Sequence, residues 1–301
     1  MGLYLGLAAL GLFVGALGTL IGAGGGFILA PLLTLMYPHE EPETIASISL
    51  CVVFFNALGG SIAYARQKRI DYRSGLIFAA AAMPGAVGGA FLAAWIPRIP
   101  FEITLGVVLI LGAGLLILNP RRKPPTVANG DVGPLRPGES SRSDAQRSQP
   151  GGLTATGNND MAKNDGAERH DLSPHPPRRM ALGALLSTAV GVLSSLLGIG
   201  GGIIHVPMLT HLLAFPVHVA TATSHFVLAL TALTGTLTHV FTGAFQHGHR
   251  RAAALAVGVL IGAPIGARLS SRLQGNAIIR ALAVALALVG LRILAAAAQG
   301  N

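Results

Sequence analysis

Ten residues, GAGGGFILAP from Gly22 to Pro31, return as GIGGGIIHVP from Gly198 to Pro207. One pattern of three glycines and a closing proline therefore stands twice in apolar sequence, which marks an internal duplication. Read as one helix, the stretch from Gly2 to Met36 would be about 50 Å long against a hydrocarbon core of about 30 Å. Such a helix has to be interrupted, and the glycines with their proline supply the interruption. A broken helix inside a membrane is tolerated only where its freed backbone groups face protein or a water-filled cavity. Duplicated breaks thus point to a carrier with its substrate beside them.

The composition fixes the solvent. A chain that is 51% hydrophobic and 11% charged, with mean hydropathy +0.61, cannot be solvated as a globular surface. It reads as an all-α integral membrane protein whose partner is the lipid bilayer. The net charge of +9 does not indicate nucleic acid, because the basic residues sit at the ends of apolar segments and in one hydrophilic stretch, without interleaved aromatics. The single cysteine, Cys51, excludes an intrachain disulfide and reads as packing. No cofactor or metal site is expected. The first twenty residues lack a basic start and run into the glycine motif, so they read as a first span rather than a cleaved signal.

Hydropathy gives about eight transmembrane helices as two four-helix repeats, the first helix of each broken at its glycine motif. Residues 1–119 form the first repeat, 120–179 a disordered cytoplasmic linker rich in Pro, Gly, Ser and Arg, and 180–301 the second repeat. Arg66, Lys68, Arg69, Arg73, Arg121 to Lys123, Arg178, Arg179, Arg250 and Arg251 assign their loops to the cytoplasm, while Glu40, Glu41 and Glu43 assign theirs to the outside. Four spans per half then imply parallel repeats with both termini cytoplasmic. Arg268, Arg272 and Arg280 run against this arrangement.

The candidate binding residues lie at and beside the breaks. Gly24, Gly25 and Gly26 in the first half and Gly200, Gly201 and Gly202 in the second would expose backbone N–H groups at the positive end of a helix dipole, a setting for an anion. Ser49 and Ser224 occupy similar places in the following spans, and Asn56 is an amide that needs a partner in apolar surroundings. His205 stands within the second motif where the first has Leu29, and His225 lies beside the second site. The spans carry no Asp or Glu away from their ends, which suits an anionic substrate and excludes the usual carboxylate proton relay. A histidine that gains a proton as the anion binds would make transport pH-dependent.

At the paired glycine motifs, in the second spans and in the four-plus-four layout, the chain resembles the TauE/SafE family of membrane transporters. The resemblance covers both halves but not the linker. It implies an eight-span permease or exporter in a bacterial cytoplasmic membrane, carrying a small inorganic or organosulfur anion such as sulfite or a sulfonate. Coupling to H+ or Na+ and the oligomeric state stay open. A transition-metal transporter using His205, His211, His218, His225, His247 and His249 is the alternative. An intramembrane hydrolase is weaker, since adjacent Ser224 and His225 point about 100° apart on a helix and no nucleophile elbow is present.

Overall fold

The computed structural model describes residues 2–118, 177–245, 248–270 and 276–299. The described residues are helical, joined by turns. The first half comprises α1 (Gly2–Ile21), α2 (Gly26–Met36), α3 (Pro42–Arg66), α4 (Tyr72–Ala93) and α5 (Arg98–Leu118); the second comprises α6 (Pro177–Leu197), α7 (Gly202–Leu212), α8 (Val217–Phe241), α9 (His249–Leu269) and α10 (Asn276–Ala298). Eight of these are long and apolar enough to cross a membrane, and α2 and α7 are the short ones. Leu111, Leu185 and Leu288 are each more than 60% exposed, as befits side chains whose solvent is lipid. Residues 120–176 of the expected linker lie outside the described residues; 177–179 open α6.

Local signals set the helix ends. Pro42 begins α3, where its missing N–H costs nothing. The Asp71 carboxylate accepts from the backbone N–H groups of Arg73 and Ser74 at the start of α4. Between α1 and α2 the backbone enters the left-handed region at Gly22, Gly24 and Gly25 (φ 90°, 81° and 79°), a conformation that glycine adopts without a Cβ clash. The Gly18 carbonyl closes α1 by accepting from the N–H groups of Gly22, Ala23 and Gly24.

At each motif the chain turns back instead of continuing across. A Cβ built on Gly25 would lie 2.9 Å from Val14 Cγ1, a residue two turns before the end of α1. At the far end of α2, Tyr37 carries the Arg251 guanidinium over its ring at 4.2 Å, and Tyr4, at the start of α1, also interacts with Arg251. The second half repeats the reversal: Gly201 meets Val190, His205 reaches Ser187, and Leu212 lies beside Gly183. Each motif is the tip of a helical hairpin.

Close packing of small residues fixes the helix directions. Gly11 and Gly15 of α1 meet Leu255 and Val259 of α9, and Gly258, Gly262 and Gly266 return the contact against α1 backbone. These two helices run the same way, as do α4 and α6, where Gly85 and Gly89 meet Thr188 and Val192. By contrast α3 and α8 are antiparallel, Gly60 against His225 and Gly235 against Leu50. So are α5 and α10, where Gly106 meets Leu294 and Gly290 meets Ile110. Corresponding helices that pack against each other in opposite directions require an inverted relation between the halves.

The parallel arrangement expected from span counting is therefore corrected. The hairpin adds a fifth segment to each half, and an odd number of segments inverts the second half. One end of the bundle carries the start of α1, the loop of Glu40, the starts of α5 and α9 and the end of α10. The other carries the α3–α4 turn, the start of α6 and the end of α9. Contacts across the halves tie each end together: Thr242 Oγ1 donates to Glu43 Oε1 (2.9 Å) and Arg251 pairs with Glu40 (2.6 Å) at the first, and Asp71 N–H donates to Thr223 Oγ1 (3.0 Å) at the second.

Candidate functional site

The two hairpin tips touch. A Cβ on Gly26 would lie 2.5 Å from the Ile199 carbonyl oxygen, and one on Gly202 would lie 2.7 Å from Ala23 Cα, so only hydrogen fits at either place. Val53 of α3 and Leu228 of α8 wall the tips on one side. A Cβ on Gly200 would lie 2.7 Å from Val53 Cγ1, and one on Gly24 would collide with Leu228 Cδ2. The α5–α10 pair packs the opposite side, with Phe101, Leu105 and Leu286 in one buried cluster with Ala23, Phe27, Ile199 and Ile203.

Ser49 and Ser224 are brought to the tips, each to that of the other half. Ser49 Oγ donates to the Gly198 carbonyl (2.6 Å) and Ser224 Oγ to the Gly22 carbonyl (3.5 Å). Both serines are wholly buried, and their hydroxyls brace the turns. Ser224 thus bonds a backbone carbonyl and not an imidazole, so the hydrolase reading gains no nucleophile and base there.

Asn56 lies at the first tip. Thr19 Oγ1 donates to Asn56 Oδ1 (3.0 Å), which leaves Nδ2 3.4 Å from a Cβ on Gly25. Asn56 is fully buried and its Nδ2 has no hydrogen-bond partner. A buried donor without a partner costs about 1–3 kcal/mol, a cost that a ligand accepting its proton would remove.

His225 and His205 part company. His225, fully buried on α8, packs against the first half: a Cβ on Gly60 would be 3.1 Å from its Nε2 and 3.1 Å from Thr19 Cγ2. Tyr64 meets its ring edge to face at 5.5 Å between centroids and donates its own hydroxyl to the Thr19 carbonyl (2.9 Å). The Thr221 backbone lies near enough to interact with the imidazole, but neither ring nitrogen makes a hydrogen bond of ordinary geometry. His205 instead spans its own hairpin, Nδ1 3.1 Å from the Gly201 carbonyl and Nε2 3.2 Å from Ser187 Oγ. It ties α7 to α6.

Sequence reasoning missed Thr19 and Tyr64, and with them Ser187, Ser194 and Ser195 of α6. Aligning the halves on the glycine motif places Thr19 on Ser195, and aligning the following spans on Ser49 and Ser224 places Tyr64 on His239, which was the available signal. The structure gives both pairs one geometry, His239 Nε2 lying 3.2 Å from the Ser195 carbonyl. A buried carboxylate is also present: Glu102, in the second turn of α5, is 4% exposed and pairs with Arg98 (2.6 Å). It lines a cavity of about 460 Å³ with Thr34, His39 and Arg292 at the end of the bundle where α1 begins. Among the described residues no three His, Cys, Asp or Glu side chains gather to hold a metal ion, and His247 lies outside them.

Comparison with known proteins places these features in a group. Residues 7–293 match the family described as Sulfite exporter TauE/SafE. The probable membrane transporter protein YunE of Bacillus subtilis is 30% identical over 243 residues, covering 79% of this chain and 78% of that one. The probable membrane transporter protein MJ0441 of Methanocaldococcus jannaschii is 24% identical over 241 residues, covering 78% and 71%. No solved structure matches.

Proposed function

The chain belongs to the sulfite exporter TauE/SafE family, a family of multi-pass membrane transporters, and from that membership we propose a secondary carrier for a small sulfur-containing anion, sulfite or an organosulfonate. The observation that carries the reading is the meeting of two re-entrant hairpins within the bundle, one of them beside a buried amide with a free donor. Helices that begin inside the protein direct positive dipole ends toward a bound anion. The buried carboxylate Glu102 is paired with Arg98 at one end of the bundle, and among the described residues the nearest neighbours of the tip glycines include no Asp or Glu.

The inverted halves also support an orientation under the positive-inside rule. Among the described residues, the end bearing the α3–α4 turn carries eight basic side chains (Arg66, Lys68, Arg69, Arg73, Arg178, Arg179, Arg268 and Arg280) and one acid, Asp71. The opposite end carries Arg98, Arg250, Arg251 and Arg292, matched by Glu40, Glu41, Glu43 and Glu102. The basic end faces the cytoplasm of a bacterial inner membrane, the linker with it, and Arg268 and Arg280 now obey the rule. Uptake of labelled sulfite, sulfoacetate and sulfate into vesicles holding the purified protein tests the substrate class. Saturable transport of sulfite or the sulfonate is expected; vesicles no more permeable than protein-free ones to all three would refute it.

A further inference from the structure

The hairpins share a backbone plan and differ in lining. In place of Asn56 the second half has Thr231, whose hydroxyl donates back to the Val227 carbonyl of its own helix (2.9 Å). In place of His225 it has Leu50, which fills the space beside Gly235. Ser194 Oγ accepts the Gly201 N–H (3.1 Å), whereas the corresponding residue of the first hairpin is Gly18, where a Cβ would collide with Gly25 N. The second tip is thus capped by its own α6 and walled by an aliphatic side chain. Its buried atoms without partners are a hydroxyl, Ser195 Oγ, and one ring nitrogen, His239 Nδ1.

Around the first tip the atoms without a hydrogen bond of ordinary geometry are Asn56 Nδ2 and the ring nitrogens of His225, whose imidazole also interacts with the Thr221 backbone. Both side chains are 0% exposed. They flank the start of an 11-residue helix whose N-cap is Gly25. Thr19 engages the acceptor of Asn56 and so turns its donor toward Gly25. An oxyanion needs only donors, which the amide, an imidazole N–H and the helix start supply without net charge.

We infer that the protein has a single oxyanion site, seated at the first hairpin between Gly25, Asn56 and the His225 ring, and that the second hairpin is a structural counterpart that holds no substrate. The inference rests on the anion-carrier reading and narrows it to one hairpin. One anion therefore moves per chain per cycle.

The test compares corresponding positions. Single-cysteine proteins are made on a Cys51→Ala background at Asn56→Cys and His225→Cys, and at the counterparts Thr231→Cys and Leu50→Cys. They are treated in membrane vesicles with 2-sulfonatoethyl methanethiosulfonate, a small thiol-reactive sulfonate. In parallel, binding of labelled sulfite to the full-length solubilised protein is measured by equilibrium dialysis. The site predicts modification at 56 and 225 at least about tenfold faster than at 231 and 50, and one sulfite per chain. Asn56→Leu should weaken sulfite binding at least about tenfold and Thr231→Val by less than about twofold. Equal labelling of the two pairs, faster labelling of the counterparts, or two sulfites per chain would overturn it. A wild-type protein that binds no sulfite yet keeps the unequal labelling would refute the sulfur-anion reading and support the placement of the site.

Discussion

The first hairpin leaves the Asn56 Nδ2 donor without a partner beside its turn, where the second ties its own turn with Ser194 and His205. Both turn on glycines with positive φ, at Gly22, Gly24 and Gly25 in one and at Gly198 and Gly200 in the other. Both are braced by a serine from the opposite half. The difference begins one helical turn before the turn itself, where Gly18 lies against Gly25 and Ser194 caps Gly201. It continues at His205, which bonds Gly201 and Ser187 where the first half has Leu29. The tips meet through the same kind of backbone contact from both sides, and a few side chains make their surroundings differ.

If the tips share one steric contact, backbone crowding should not distinguish them. Gly26→Leu and Gly202→Leu both force atoms into main chain of the other hairpin, an overpacking that costs about 1–3 kcal/mol or more. Either change should cut transport at least about tenfold at equal membrane abundance. Vesicle uptake close to wild type for one of them would show that the tips do not act as a unit.

Side chains should distinguish them. His205→Leu installs the first half's residue in the second hairpin and leaves Ser187 and the Gly201 carbonyl without their imidazole partner. Loss of these buried hydrogen bonds should cost about 1–3 kcal/mol, seen as a lower Tm in detergent, with transport per folded molecule retained. Loss of transport at unchanged Tm would instead make His205 part of the binding machinery and erase the asymmetry.

The smallest effect belongs to the loop ends. Glu40, in the loop after α2, pairs with Arg251 on α9 at 2.6 Å, both partly exposed; the loop after α7, residues 213–216, carries no charge. Glu40→Gln should shift stability by less than about 1 kcal/mol and leave transport unchanged. A larger loss of Tm would mean that the first hairpin depends on its outer tether as the second does not.

What the sequence disclosed and what it withheld follow from the same glycines. The motif announced an interruption because no helix from Gly2 to Met36 fits the bilayer, and Ser49, Asn56 and Ser224 were legible as polar groups in apolar spans. The sense of the interruption was not legible: three glycines permit a bend or a reversal, and only contacts such as Gly25 against Val14 decide. Reading a bend made the segment count even and the halves parallel. The basic residues Arg268 and Arg280 were the visible sign of the error. Partners across the halves, Ser49 on Gly198 and His225 on Gly60, were hidden because they depend on the antiparallel packing of α3 and α8. Glu102 escaped notice because it stands near a span end, where a carboxylate is ordinarily solvated.

The central claim, that two hairpins of opposite direction meet at their tips, is tested most directly by sidedness. Reporter fusions after Lys68, within residues 129–172 and after Gln299 should place the first two in the cytoplasm and the third outside. All three on the cytoplasmic side would restore parallel halves and contradict the antiparallel packing of α3 on α8 and α5 on α10.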